Sequence, residues 1–346
     1  MPAPRRANQL VYVVHESEVL ADNPLGDPHV REFPVYLPPQ YDAEPDRRFP
    51  VTWLLAGYTG WASMKATKER AWAESLPDEL DRRMTSDDPD ERLEPMIVAF
   101  ADCFTRFGGS QFRNSPVTGR YEDYLVGELV PFVDERFRTI ADRDHRAVMG
   151  KSSGGYGAMI MGMWHPDVFG LVCSTAGDSY FPYCCTGDIG KTFQELRKHG
   201  GPEAFVEQFF DKRKKGGRDI AAMMIIAYAQ CYSPNPAVPG TFADMPFDLE
   251  TGELIDEVWA RWLACDPVNM VAHHVDALKS LKLLFLDAGR RDEWYLDVGQ
   301  RIVAKRLSDH GISYEFEEFS GGHMDIDHRI GASVRRISEA LWRAEA

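Results

Sequence analysis

Gly150-Lys151-Ser152-Ser153-Gly154 is the stretch on which the reading of this chain turns. A short apolar run, Arg146-Ala147-Val148-Met149, leads into it, and a run of small residues, Gly155-Tyr156-Gly157-Ala158-Met159-Ile160, leads out. The first predicts a strand and the second the opening of a helix. Strand, Gly-x-Ser-x-Gly, helix is the setting of a nucleophile elbow. The turn is tight enough to need glycine at its flanks. It presents Ser152 at a helix N-terminus, where free N–H groups and the positive dipole end favour negative charge. A glycine-rich turn with an incidental serine would also satisfy the motif; the strand and helix around it argue against that.

Working outward, eight segments read as strands: Leu10–His15, Arg31–Leu37, Val51–Leu55, Met96–Ala101, Arg146–Met149, Leu171–Thr175, Leu281–Leu286 and Ser313–Phe319. The central ones are continuous apolar runs, as strands covered on both faces require. The first two alternate more and suit an antiparallel start at a sheet edge. Helical periodicity separates the later strands, over Tyr121–Arg138, Val298–His310 and Ile330–Ala344. The alternation predicts an α/β fold, a mostly parallel central sheet of about eight strands with helices on both faces. Residues 180–264 break the alternation with helical stretches (Thr192–Arg197, Ala204–Phe210, Ile220–Gln230) and a turn-rich piece, Ser233–Gly240. They read as a cap inserted after the sixth strand of a single domain spanning residues 1–346, because a structureless loop of that length is improbable.

The chain has 346 residues, 44% of them hydrophobic, enough for a large core. Its net charge of −15 makes nucleic acid or an anionic membrane a poor partner. The one basic block, Lys212-Arg213-Lys214-Lys215, reads as a solvated loop or helix end. No stretch is apolar for the roughly 18 residues a membrane helix needs. Met1-Pro2-Ala3-Pro4-Arg5-Arg6 lacks the apolar core of a signal peptide. The six cysteines have no C-x-x-C spacing and read as reduced thiols of a cytoplasmic protein, with a bridge from Cys184 or Cys185 to Cys231 left open. Self-association is left open too.

In open α/β sheets, function collects beyond the C-terminal strand ends. Ser152 follows the fifth strand. Asp287-Ala288-Gly289-Arg290-Arg291-Asp292-Glu293-Trp294 follows the seventh, and Ser320-Gly321-Gly322-His323-Met324-Asp325 the eighth. The order Ser, Asp, His is that of the α/β-hydrolases. A serine hydroxyl is a weak nucleophile at neutral pH and needs a base, for which histidine is suited. The histidine needs an acceptor on its other nitrogen. Ser152, Asp292 and His323 are therefore the expected triad, with Asp287 the second choice of acid and Glu293 the third. For the oxyanion, the backbone N–H groups of Ser153 and Tyr58 are expected, with Thr59 as the alternative to Tyr58.

The run Tyr121-Glu122-Asp123-Tyr124 … Glu128-Leu129-Val130-Pro131-Phe132-Val133-Asp134 … Arg146–Ala158 resembles the esterase D-like family of the α/β-hydrolase superfamily. Val35-Tyr36-Leu37-Pro38-Pro39, Asp287-Ala288-Gly289 … Asp292 and Gly321-Gly322-His323 add to the likeness, which extends over about Arg31 to Leu341 apart from the insertion. The resemblance implies hydrolysis of a small-molecule carboxylic ester through Ser152, Asp292 and His323, with thioesterase or acyltransferase activity as alternatives. A non-catalytic binding protein on the same fold would have lost a triad position, and none is lost. The family often has His and Met around the serine where this chain has Lys151 and Ser153, and its loop after the third strand differs from Ala56-Gly57-Tyr58.

Trp61, Asp178, Tyr180 and Trp294 follow strands that converge on Ser152 and are the expected substrate-binding residues. His323-Met324-Asp325-Ile326-Asp327-His328 looks like a metal cluster, but a metal would compete with Ser152 for His323. Neither metal nor cofactor is therefore expected.

Overall fold

In a computed structural model describing residues 5–7, 9–68 and 72–342, the apolar run before Ser152 is a strand at the heart of the sheet. In chain order the sheet strands are β1 (Arg5–Ala7), β2 (Leu10–Glu16), β3 (Val30–Tyr36), β4 (Val51–Leu55), β5 (Ile97–Ala101), β6 (Arg146–Lys151), β7 (Leu171–Thr175), β8 (Leu283–Gly289) and β9 (Glu315–Phe319). Their spatial order is β1-β2-β3-β5-β4-β6-β7-β8-β9. The first three strands and the β3–β5 pair are antiparallel. From β5 across to β9 every pairing is parallel. All residues of β4, β5, β7 and β8 are buried, as expected for mainly apolar strands covered on both faces. This is the α/β-hydrolase fold.

β1 adds a ninth strand; its three residues, Arg5-Arg6-Ala7, are too few and too polar to carry a periodic signal. β8 begins two residues later than expected and ends at Gly289, which brings Asp287 inside the strand, paired with Thr175. The helix expected over Tyr121–Arg138 is a turn at Tyr121–Asp123, a π-helical segment at Tyr124–Leu129 and an α-helix at Val130–Arg136. Pro131 is the physical reason: it has no N–H to bond the carbonyl of Gly127, and its ring crowds that carbonyl. The last helix is His328–Trp342. The Ala344 end of the predicted helix and the reading of Met1–Pro4 lie outside the described residues, as do parts of the predicted span 1–346.

Between β7 and β8 the chain is helical. Phe181–Cys184, Thr186–His199, Pro202–Asp211, Gly217–Tyr232 and Asp256–Leu263 are helices, and the turn-rich remainder makes isolated bridges, Pro234 to Ala243 and Phe247 to Leu254. None of this segment joins the sheet. The six cysteines are free and buried, with the Sγ atoms of Cys184 and Cys185 3.5 Å apart. No described helix is long and apolar enough to cross a membrane.

Candidate active site

Because β4 and β6–β9 run parallel, their C-terminal ends open onto one edge, and the loops that follow meet there. At the end of β6 the backbone of Ser152 has φ 58° and ψ −128° before the helix Ser153–Trp164 begins. A side chain strains such a backbone. Two glycines let the turn close. A Cβ on Gly154 would lie 2.1 Å from the carbonyl oxygen of Leu55, and one on Gly150 2.4 Å from the backbone of Gly154. The Ser152 N–H donates to the Thr175 carbonyl at 3.0 Å, tying the turn to β7.

The loops after β8 and β9 bring Asp292 and His323 together. Nδ1 of His323 lies 2.9 Å from Oδ2 of Asp292, and both residues are buried. The other Asp292 oxygen accepts the N–H groups of Trp294 at 2.9 Å and Leu296 at 3.3 Å, which fixes the carboxylate plane. Glu293 braces the loop rather than the ring. Its Oε2 accepts the backbone N–H of His323 at 2.6 Å and holds the histidine loop in place. The Trp294 ring packs edge-on against the His323 imidazole, centroids 4.9 Å apart, while its indole N–H donates to Asp188 of the insertion at 2.8 Å. That link from the insertion to the histidine carried no sequence signal.

Asp287 bonds elsewhere: its Oδ2 accepts from Arg329 Nε at 2.7 Å. Burial raises its pKa to about 6, with Thr175 and Arg329 pulling the other way. The unfolded value is near ~3.9, so the folded state binds the proton more tightly, and stability from this group is complete below about pH 4 and lost as pH rises through the folded pKa of about 6. Asp287→Asn should keep ester turnover where it is folded. The melting-temperature advantage of parent over variant should shrink by a few degrees between pH 4 and pH 7, from an effect on the order of 1–3 kcal/mol. A constant gap across that range, measured by thermal unfolding, would contradict the assignment.

Of the candidate oxyanion donors, Ser153 heads the elbow helix, so its N–H has no partner within the helix. The Thr59 N–H is already spent on the Gly108 carbonyl at 2.8 Å. Among the described residues the Tyr58 N–H makes no such backbone bond, which favours Tyr58 over its alternative. The Tyr58 hydroxyl is anchored on the Phe107 carbonyl at 3.0 Å, and burial pushes its pKa up.

Ser152 and His323 line one cavity of about 800 Å³, within the size range of small-molecule sites. The core contributes Tyr58, Asp178 and Trp294; the insertion contributes Cys184, Asp188, Ile220, Met224 and Tyr228. Two expected substrate contacts fall elsewhere. Tyr180 is not part of the lining; it sits in the left-handed conformation at the start of Phe181–Cys184, its N–H donating to Asp266 and its ring packed on Tyr183. Trp61 is also outside the lining and half exposed. Lys151, one of the departures from the family pattern, lines the cavity beside Ser152.

Around the suspected metal run, His323 is held by Asp292, Asp327 accepts from Lys65 at 2.6 Å, and His328 packs on Phe319. Among the described residues the group close enough to hold an ion is instead Glu195, His199 and Asp219, on the insertion. Lys198 bonds Glu195 at 2.5 Å and Lys212 bonds Asp219 at 2.7 Å, so these acids are already neutralised.

Among curated proteins, the chain is 29% identical over 155 residues to an endo-1,4-beta-xylanase/feruloyl esterase of Xylanibacter ruminicola, covering 43% of this chain and 20% of that one. It is 25% identical over 249 residues to esterase Rv1288 of Mycobacterium tuberculosis, covering 67% and 42%. The chain spans between 20% and 58% of the length of the curated relatives it matches. A solved ferulic acid esterase has the same fold, with a TM-score of 0.61, 18% identity and coverage of 96% and 98%. The model of the Esterase family ("Putative esterase") matches residues 28–329, and the chain belongs to that family.

Proposed function

We propose that this chain is a serine hydrolase that cleaves a carboxylic ester through an acyl-enzyme on Ser152. The observation that carries the reading is the His323–Asp292 pair, 2.9 Å apart, in the same cavity as a serine at a strained strand-to-helix turn. Asp292 keeps the proton on Nδ1 of His323, which leaves Nε2 to take the Ser152 proton during attack and return it to the leaving alcohol. The oxyanion of the tetrahedral intermediate is received by the N–H groups of Ser153 and Tyr58. Water then repeats the cycle on the acyl-enzyme. Nothing in this scheme calls for a metal or cofactor.

The domain reading is a single α/β-hydrolase domain with residues 180–264 as a cap whose helices wall the cavity. Six buried free thiols suit a reducing compartment, in keeping with a cytoplasmic protein. A fluorophosphonate probe should label the parent on Ser152, located by peptide mapping. Labelling at another serine, or none, would overturn the hydrolase reading.

If the cap sets substrate size, Met224→Ala should widen the cavity. The expected result is a change of roughly tenfold or more in relative kcat/KM between acetyl and bulky aromatic acyl esters. Rates that change in parallel across the series would mean that the cap does not select.

A further inference from the structure

Asp178 is a carboxylate that the hydrolytic scheme does not use. It lies just beyond β7, is 5% exposed, and lines the cavity together with Ser152. Three donors converge on one of its oxygens: to Oδ2 come the Tyr228 hydroxyl at 2.8 Å, the Ser153 hydroxyl at 3.0 Å and the Gln111 amide at 3.3 Å. Oδ1 receives none of these bonds. All three donors are neutral, and among the described residues no lysine or arginine forms an ion pair with Asp178.

A buried carboxylate without a cation is costly, and proteins seldom keep one that nothing pairs. Burial pushes the Asp178 pKa up, against the pull of the three hydrogen bonds and of His323. Apolar side chains, including Ile220, Met224 and Leu296, share the cavity wall with charged ones, Lys151, Asp188, Lys191 and Arg218 among them. One acceptor is thus held rigidly on one oxygen, one residue from the nucleophile through the Ser153 contact, in the wall of the cavity. This is the geometry of a fixed polar contact that orients a ligand.

We propose that Asp178 is the recognition point for a hydrogen-bond donor on the substrate, a hydroxyl or an ammonium near the scissile ester. The substrate class is then a donor-substituted ester. This inference rests on the hydrolase reading of Ser152. A purely structural Asp178 would hold the Ser153 hydroxyl and, with it, the oxyanion N–H; its loss would slow all esters by the same factor.

The test is kcat/KM of the full chain for matched pairs: methyl butyrate against methyl 3-hydroxybutyrate, and propyl butyrate against its 3-hydroxypropyl and 3-dimethylammoniopropyl analogues. The parent should favour at least one donor-bearing ester by roughly 10–100-fold over its donor-free partner, the effect of one hydrogen bond to a charged group. The hydroxyl and ammonium arms identify which donor is read. In Asp178→Asn, and again in Asp178→Ala, that ratio should fall toward one while the donor-free ester is still turned over. A parent with no preference overturns the proposal without any variant, and so does a preference that survives both substitutions or a parallel slowing of the whole series. Hydrolysis of the donor-free esters, dependent on Ser152, tests the hydrolase reading separately; if no ester in the set is cleaved, both readings fall together.

Discussion

Ser152→Ala is expected to lower ester kcat by on the order of 10⁴–10⁶-fold while leaving the melting temperature unchanged. Without the hydroxyl there is no acyl-enzyme, and only the oxyanion donors and binding remain to act on direct attack by water. Stability is spared for local reasons. The Ser152 side chain makes no capping bond to its helix, so its removal deletes no structural contact at the cap. Alanine meets the same strain as serine at φ 58°, so the backbone cost is common to both proteins. A lost activity accompanied by a lower melting temperature would point to a damaged elbow instead. Activity at the parent level, with the phosphonate still incorporated, would place the nucleophile elsewhere.

The sheet was legible in the sequence where burial is two-sided. β4, β5, β6 and β7 are dominated by apolar residues, and their positions are read to within two residues. Legibility fails where a carboxylate is buried inside a strand. Asp287 reads as a terminus because an acid normally ends an apolar run; the contacts with Thr175 and with Arg329 of the last helix explain how it stays inside β8. The pairing of Asp292 with His323 was readable because both follow parallel strands, whose ends must converge. The bonds among Asp178, Tyr228 and Gln111 were not, since they join three segments remote in sequence. Tyr180 shows the limit of reasoning from chain position alone: its neighbour Asp178 faces the cavity, but its own left-handed backbone turns it toward Tyr183. The cap was visible as a break in alternation, and its contact with Trp294 through Asp188 was not.

Asp292→Asn should cost on the order of 10⁴ in kcat with little change in fold. The two oxygens of Asp292 face different partners. One accepts two backbone N–H groups, from Trp294 and Leu296. The other meets His323 Nδ1. An asparagine must turn its carbonyl oxygen toward the two N–H donors, because its amide group would oppose them there. The amide then points at Nδ1 and donates to it. Nδ1 becomes an acceptor, so the imidazole proton moves to Nε2, and Nε2 can no longer take the proton from Ser152. The loss is therefore one of tautomer, with every backbone contact kept. It should appear in kcat far more than in KM, and thermal unfolding should match the parent. Glu293→Gln supplies the contrast, since the Glu293 side chain touches the backbone of His323 and leaves the ring alone. Its effect should be one of loop position, well short of the Asp292 loss. Should Glu293→Gln prove the inactive protein while Asp292→Asn remains folded and active, the orienting acid is Glu293, and the 2.9 Å contact with Asp292 is a structural one.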